Sequence, residues 1–194
     1  MDRKNLMIIP RTKYRKIQIG VIGDSSCSTE QANVAYKLGQ LLATRNVTVI
    51  CGGRLGIMEA LAKGVSDSNG IIIGILPTIN GSDANPYLSV IIPTNMGWTR
   101  NSFVSMSSDV IIVLGGKVGT LNEMTFAWMW GKPLISLVDK SFDKNSWGIK
   151  LAGEKLDDRR KDVIYKVTTI SEAVDLAIDL ALNRQEDSLF PEKS

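Results

Sequence analysis

The sequence predicts an α/β fold: a Rossmann-like, doubly wound parallel sheet in a three-layer α/β/α sandwich, built as a single domain. Three observations predict it. Short apolar, β-branched runs alternate with amphipathic segments of helical period along most of the chain. The run Val110-Ile111-Ile112-Val113-Leu114 is apolar at every position, as a parallel strand covered on both faces must be. The runs also stop at glycines, with Gly23, Gly52-Gly53 and Gly115-Gly116 each following a strand and preceding a helical pattern. With 194 residues and 44% hydrophobic content the chain can bury one core, and its length favours one domain.

Each element has its own justification. Ile17 to Ile22 forms the first strand, and Gly23-Asp24-Ser25-Ser26 is the loop at its C-terminal end. Ser28 and Gln31 make a capping box for a helix whose apolar face is Ala32, Ala35, Leu38, Leu41 and Leu42. Val47 to Cys51 is the second strand, and a second helix follows Gly56 through Ile57, Ala60, Leu61 and Val65 to a stop at Asn69-Gly70. Ile71 to Leu76 is the third strand. From Pro77 to Pro93 the pattern is irregular, with Asn80-Gly81 and Asn85-Pro86 as turn signals, and this stretch reads as a loop able to form a lid. A helix with Arg100, Phe103, Val104 and Met106 precedes the strand at Val110–Leu114. The next helix starts at Thr120, Pro133 to Val138 is a strand, and Val163 to Val167 with a helix from about Ser171 to Asn183 completes the layers. The domain reading is a basic extension over 1–15, the nucleotide-phosphate-binding domain over 16–184 and a polar tail over 185–194.

Composition excludes several classes of chemistry. Histidine is absent, which removes His-based triads, His metal ligands and His acid–base work. Among the sequence motifs none is a metal site. The two cysteines, Cys27 and Cys51, fit reduced thiols better than a disulfide framework, and no run is long enough to span a membrane, so the expected location is cytoplasmic. The net charge of +3 is mild, and the basic arm of Arg11, Lys13, Arg15 and Lys16 reads as solvated rather than as a nucleic-acid contact.

Two glycine loops carry the functional signal. Gly115-Gly116-Lys117-Val118-Gly119-Thr120 brings backbone close to a ligand at a helix start, and Gly52-Gly53-Arg54-Leu55-Gly56 adds an arginine suited to an oxyanion. Glycines in such places also serve tight turns and close packing alone. The first βα loop lacks the dinucleotide fingerprint, and Val118 stands where a P-loop needs Ser or Thr after its Lys, so neither NAD nor ATPase chemistry is indicated. Glu123 reads either as the acid of a Thr120–Glu123 capping box or as a site residue, and Arg100 either as a structural ion-pair partner or as its companion. The helix with Leu121, Met124, Phe126, Trp128, Met129 and Trp130 is apolar nearly all round, so it is either sandwiched in the core or lies in a subunit interface, of which a homodimer contact is the favoured reading.

Arg100-Asn101, Ser108-Asp109, Gly119-Thr120-Leu121-Asn122-Glu123 and Gly131-Lys132-Pro133 resemble the LONELY GUY family and its relatives, which include the molybdenum cofactor carriers. Gly52-Gly53-Arg54-Leu55-Gly56-Ile57-Met58-Glu59 and Gly74-Ile75-Leu76-Pro77 fit the same superfamily, so that the resemblance spans roughly residues 17–140. It implies a dimeric Rossmann-like protein that binds a nucleoside 5′-monophosphate or a related phosphorylated ligand and requires no cofactor. By position it implies Arg100 and Glu123 as a catalytic pair for cleaving an N-glycosidic bond. Phosphate would rest on Gly53, Arg54, Gly119 and Thr120, beside Gly52, Gly56, Gly116 and Lys117, with Gly23, Ser25 and Ser26 completing the edge. Relatives labelled lysine decarboxylases share the fold, but no residue here marks a pyridoxal-phosphate lysine. The enzymes' Pro-Gly-Gly-x-Gly-Thr-x-x-Glu becomes a version with Gly115 for Pro and Lys117 for the second Gly. That departure brings in the other branch, a non-catalytic carrier of molybdenum cofactor or a similar pterin phosphate.

Overall fold

The computed structural model describes residues 16–183, and the basic arm through Arg15 and the C-terminal tail lie outside the described residues. Seven strands form one sheet: β1 (Gln18–Gly23), β2 (Thr48–Cys51), β3 (Ile71–Leu76), β4 (Val90–Pro93), β5 (Val110–Leu114), β6 (Leu134–Leu137) and β7 (Tyr165–Val167). Their order is β4-β3-β2-β1-β5-β6-β7. Every neighbouring pair runs parallel. The chain winds outward from β1 in one direction through β4, then crosses back to β5 on the other side of β1 and winds outward again. The sheet is the Rossmann-like one the alternating pattern predicted.

The helices are α1 (Thr29–Thr44), α2 (Ile57–Asp67), α3 (Asn101–Ser107), α4 (Val118–Met129), α5 (Trp147–Lys150) and α6 (Ile170–Asn183). Strand alternation sorts the core into two layers. Val110, Ile112 and Leu114 point to the side of α1, α2 and α6, where Leu38, Leu42, Leu61, Val65 and Ala177 pack. Ile111 and Val113 point to the opposite side, against Val104, Met124, Ala127 and Trp128 of α3 and α4. Burial of each such Leu or Ile stabilises the fold by about 1.5–3 kcal/mol, which is why β5, covered on both faces, has no polar position. No helix among the described residues is long and apolar enough to cross a membrane.

The structure alters several boundaries. Val90–Pro93, read in the sequence as part of an irregular loop, is the edge strand β4, paired with β3 from Ile73↔Val90 to Leu76↔Pro93. Pro at the last position of an edge strand costs no ladder bond, which reconciles the turn-like sequence with the strand. The rest of that segment is tied down rather than lid-like: the Asn85 N–H donates to the Gly53 carbonyl at 2.9 Å, and Nδ2 donates to the carbonyls of Gly53 and Arg54 at 3.1 and 3.0 Å. Helix α4 begins at Val118, two residues before Thr120, and its N-cap Lys117 makes no side-chain cap. The capping box expected at Ser28 and Gln31 is present in both directions.

Candidate functional site

In a doubly wound sheet the loops after the two strands at the reversal of strand order leave for opposite faces and open a crevice between them. Here those strands are β1 and β5, whose ends pair at Gly23↔Leu114. The crevice is a cavity of about 600 Å³. One wall is the turn after β1, with Gly23, Asp24, Ser25 and Ser26, and Arg54 and Met58 join it from the β2–α2 connection. The other wall is Trp98, Arg100 and Asn101, and the floor is the first two turns of α4 from Lys117 to Glu123. The two glycine loops therefore open on one rim of the sheet, with Arg54 and Thr120 facing the same space.

The start of α4 is shaped by its glycines. Gly115 and Gly116 have φ of 62° and 103°, in the left-handed region, and a Cβ on Gly116 would lie 2.4 Å from the Thr120 Cβ. The turn leaves Val118, Gly119 and Thr120 as the first residues of α4, lining the cavity at the positive end of a helix, where anions bind. Lys117 is placed differently from the sequence expectation: its N–H donates to Asp24 Oδ1 at 3.0 Å, and its side chain is exposed. Burial pushes the Asp24 carboxyl above its ordinary range, partly opposed by Lys117.

Arg100 and Glu123 form the deep end. They are only 4% and 7% exposed, and Arg100 Nη1 meets Glu123 Oε1 at 3.4 Å. Glu123 thus faces Arg100 rather than closing a capping box onto Thr120, because a helix that begins at Val118 places residue 123 in its second turn. Burial pushes the Glu123 carboxyl up to about 7, and the Arg100 charge, the second influence, pulls the other way. Desolvation wins over the nearby arginine, opposite to what the pairing alone suggests. Arg100 Nε, buried, has no hydrogen-bond partner. Two contacts set α3 against α4 around the pair: Ser105 Oγ donates to the Glu123 carbonyl at 2.9 Å, and Asn101 Nδ2 to Asn122 Oδ1 at 3.0 Å.

Gly52, Gly53, Gly56 and Gly116, expected among the ligand contacts, do not line the cavity; they shape it from behind. A Cβ on Gly52 would come 2.5 Å from Arg100 Nη1, and one on Gly56 would come 2.4 Å from the Ser25 carbonyl carbon. Gly53, at φ 73°, lets the turn pass Gly74. Arg54 is half-exposed, and its Nε is held by Asp83 at 3.1 Å. The sequence reading did not assign Asp24, Met58 or Trp98 to the site. Asp24 carried a signal, an acidic residue at a strand end facing the glycine loop, whereas Trp98 and Met58 carried none. Among the described residues no group of acidic or thiol side chains could hold a metal ion.

Residues 16–174 match the profile of the SLOG cluster4 family. The chain belongs to that family. A protein of unassigned function from Archaeoglobus fulgidus is 40% identical over 62% of this chain and 80% of its own length. The cytokinin riboside 5′-monophosphate phosphoribohydrolase of Mycobacterium tuberculosis is 31% identical over 57% of this chain. The matched region spans 64% of that enzyme, less than two-thirds of its length. Among solved structures, the molybdenum cofactor binding protein of Rippkaea orientalis superposes with a TM-score of 0.76 at 30% identity, covering 86% of this chain and 98% of that one. The molybdenum cofactor carrier protein of Chlamydomonas reinhardtii, at 24% identity and a TM-score of 0.71, shares the fold over 86% of this chain and 98% of its own. This SLOG cluster4 chain therefore stands in the superfamily that its glycine loops and Arg100–Glu123 spacing resemble.

Proposed function

We propose that the cavity binds a nucleoside 5′-monophosphate or a closely related phosphorylated ligand, and that Arg100 and Glu123 cleave its N-glycosidic bond, releasing a free base and ribose 5-phosphate. One observation carries the reading: a buried carboxyl near neutrality, Glu123, lies one helical turn from Val118, Gly119 and Thr120 at the helix N-terminus in the same cavity. The phosphate is held by the N–H groups of Val118, Gly119 and Thr120 and by Arg54. Thr120 to Glu123 is a rise of about 4.5 Å along the helix, so the sugar rather than the phosphate lies against the carboxylate. As the bond between C1′ and the base breaks, positive charge builds on the sugar and ionised Glu123 stabilises it, while water supplies the new C1′ oxygen and a proton goes to the departing base. Arg100 holds the carboxylate in place. Trp98, 72% exposed at the mouth, presents a ring face on which a planar base stacks. Nothing in this chemistry asks for a cofactor.

The test is incubation with AMP and an N6-substituted AMP, with released base followed by chromatography. Base release by the wild type and none by Glu123→Ala is the expected result; equal release by the two ends the enzymatic reading.

A second reading, carriage of molybdenum cofactor or a similar pterin phosphate without turnover, is favoured by the likeness to the Rippkaea orientalis protein, which spans 98% of that chain. It uses the same phosphate cradle and Trp98 for the pterin ring. Native mass spectrometry of protein from a cofactor-producing host tests it: a bound pterin supports carriage, and protein free of pterin that also fails to protect added cofactor removes it.

A further inference from the structure

Asp24 is an unexpected acid in a cavity otherwise arranged for an anion. A helix start leaves four N–H groups without an acceptor inside the helix. In α4 they belong to Lys117, Val118, Gly119 and Thr120, and the first is already taken by Asp24 Oδ1 at 3.0 Å. The outermost donor of the α4 start is thus occupied by a group of the protein's own that has the charge of a ligand. At the deep end the arrangement is the reverse, because Arg100, 4% exposed, leaves Nε without an acceptor among cavity-lining residues. Val118, Gly119 and Thr120 thus keep their N–H groups beside the cavity, and the Asp24 carboxylate stands next to them at the Lys117 turn.

We propose that Asp24 is a specificity-determining residue that restricts the site to a single phosphoryl group, so that it takes a phosphomonoester and rejects an ester carrying a second phosphoryl group. This rests on the phosphate-binding reading of the α4 N-terminus but not on any bond cleavage there. A lone phosphoryl group takes the three remaining N–H groups and Arg54, and lies inward of Asp24. A second one would meet the carboxylate across the Lys117 turn with no amide left to bind, and like charges in a partly desolvated cavity discriminate strongly. Asp24→Asn keeps an oxygen for the Lys117 N–H while removing the charge.

The experiment titrates ¹⁵N-labelled protein with inorganic phosphate and with pyrophosphate at fixed pH and ionic strength, following the amide resonances of Val118, Gly119 and Thr120. The wild type is expected to bind phosphate at least about tenfold more tightly than pyrophosphate, and Asp24→Asn to reduce that preference by about the same factor. Equal or reversed preference in the wild type overturns the proposal, whether or not the variant folds. A preference unchanged in Asp24→Asn overturns it too. Absence of shifts with either anion overturns both this selection and the phosphate site beneath it, whereas failure to release base from AMP, with the anion preference intact, removes the hydrolytic step alone.

Discussion

Glu123 is held between two opposing influences, and the balance sets a measurable pH dependence. Burial pushes its carboxyl up to about 7, while Arg100 at 3.4 Å favours the ionised form. An acid whose proton is lost only near neutrality works as a carboxylate only above that point. Base release is therefore expected to rise with pH, about tenfold per unit well below pH 7, and to level off above it. Arg100→Met removes the influence that lowers the carboxyl, so the midpoint of the profile moves to higher pH as the maximal rate falls; a pH–rate series on the two proteins checks both. A midpoint that stays in place would show that the arginine does not govern this proton. At this scale the sequence was legible in part. It named Arg100 and Glu123 but offered two readings of the glutamate, because Thr120-Leu121-Asn122-Glu123 fits a capping box as well as a site. The choice was made by Lys117 becoming the N-cap, which sequence spacing does not specify.

At the scale of elements the site depends on one strand–turn–helix, β5 to α4, and on the left-handed backbone between them. Gly116→Ala places a Cβ 2.4 Å from the Thr120 Cβ on a residue at φ 103°. The loop must rotate to relieve this, at a cost of about 1–3 kcal/mol, and the Val118–Thr120 amides turn with it. The expected result is a lower unfolding midpoint in urea together with loss of the phosphate-induced amide shifts. Gly97→Ala, where a Cβ meets nothing within 4 Å, is the control for a left-handed glycine outside the loop. Strands with fully apolar runs were readable because burial on both faces admits no polar residue. β4 was not, since Val90, Ile91 and Ile92 lie at an edge, each more than 40% exposed, between turn-like residues. The short helix α5 was missed for a related reason: its four residues are too few to show a helical period.

At the scale of the whole molecule, apolar surface remains on the α3–α4 side of the sheet. Phe103, Met106, Met129 and Trp130 are 37%, 41%, 55% and 43% exposed. Patches of this kind mark contacts, and we infer that two copies of the chain meet here. Light scattering after size exclusion should give twice the mass of 21.2 kDa, and Trp130→Glu should shift the species toward that mass itself. A monomeric wild type removes the inference.

The sequence by itself determined the α/β class, the strands with fully apolar runs and the glycine turns. These follow from period, burial and backbone freedom, which are local properties. Only the tertiary structure decided that the β1 and β5 turns share a crevice, that Glu123 faces Arg100, and that Asp24 takes an amide of the α4 start. Each of these joins residues far apart in the chain, and their meeting depends on the order in which strands pair, which no local pattern encodes.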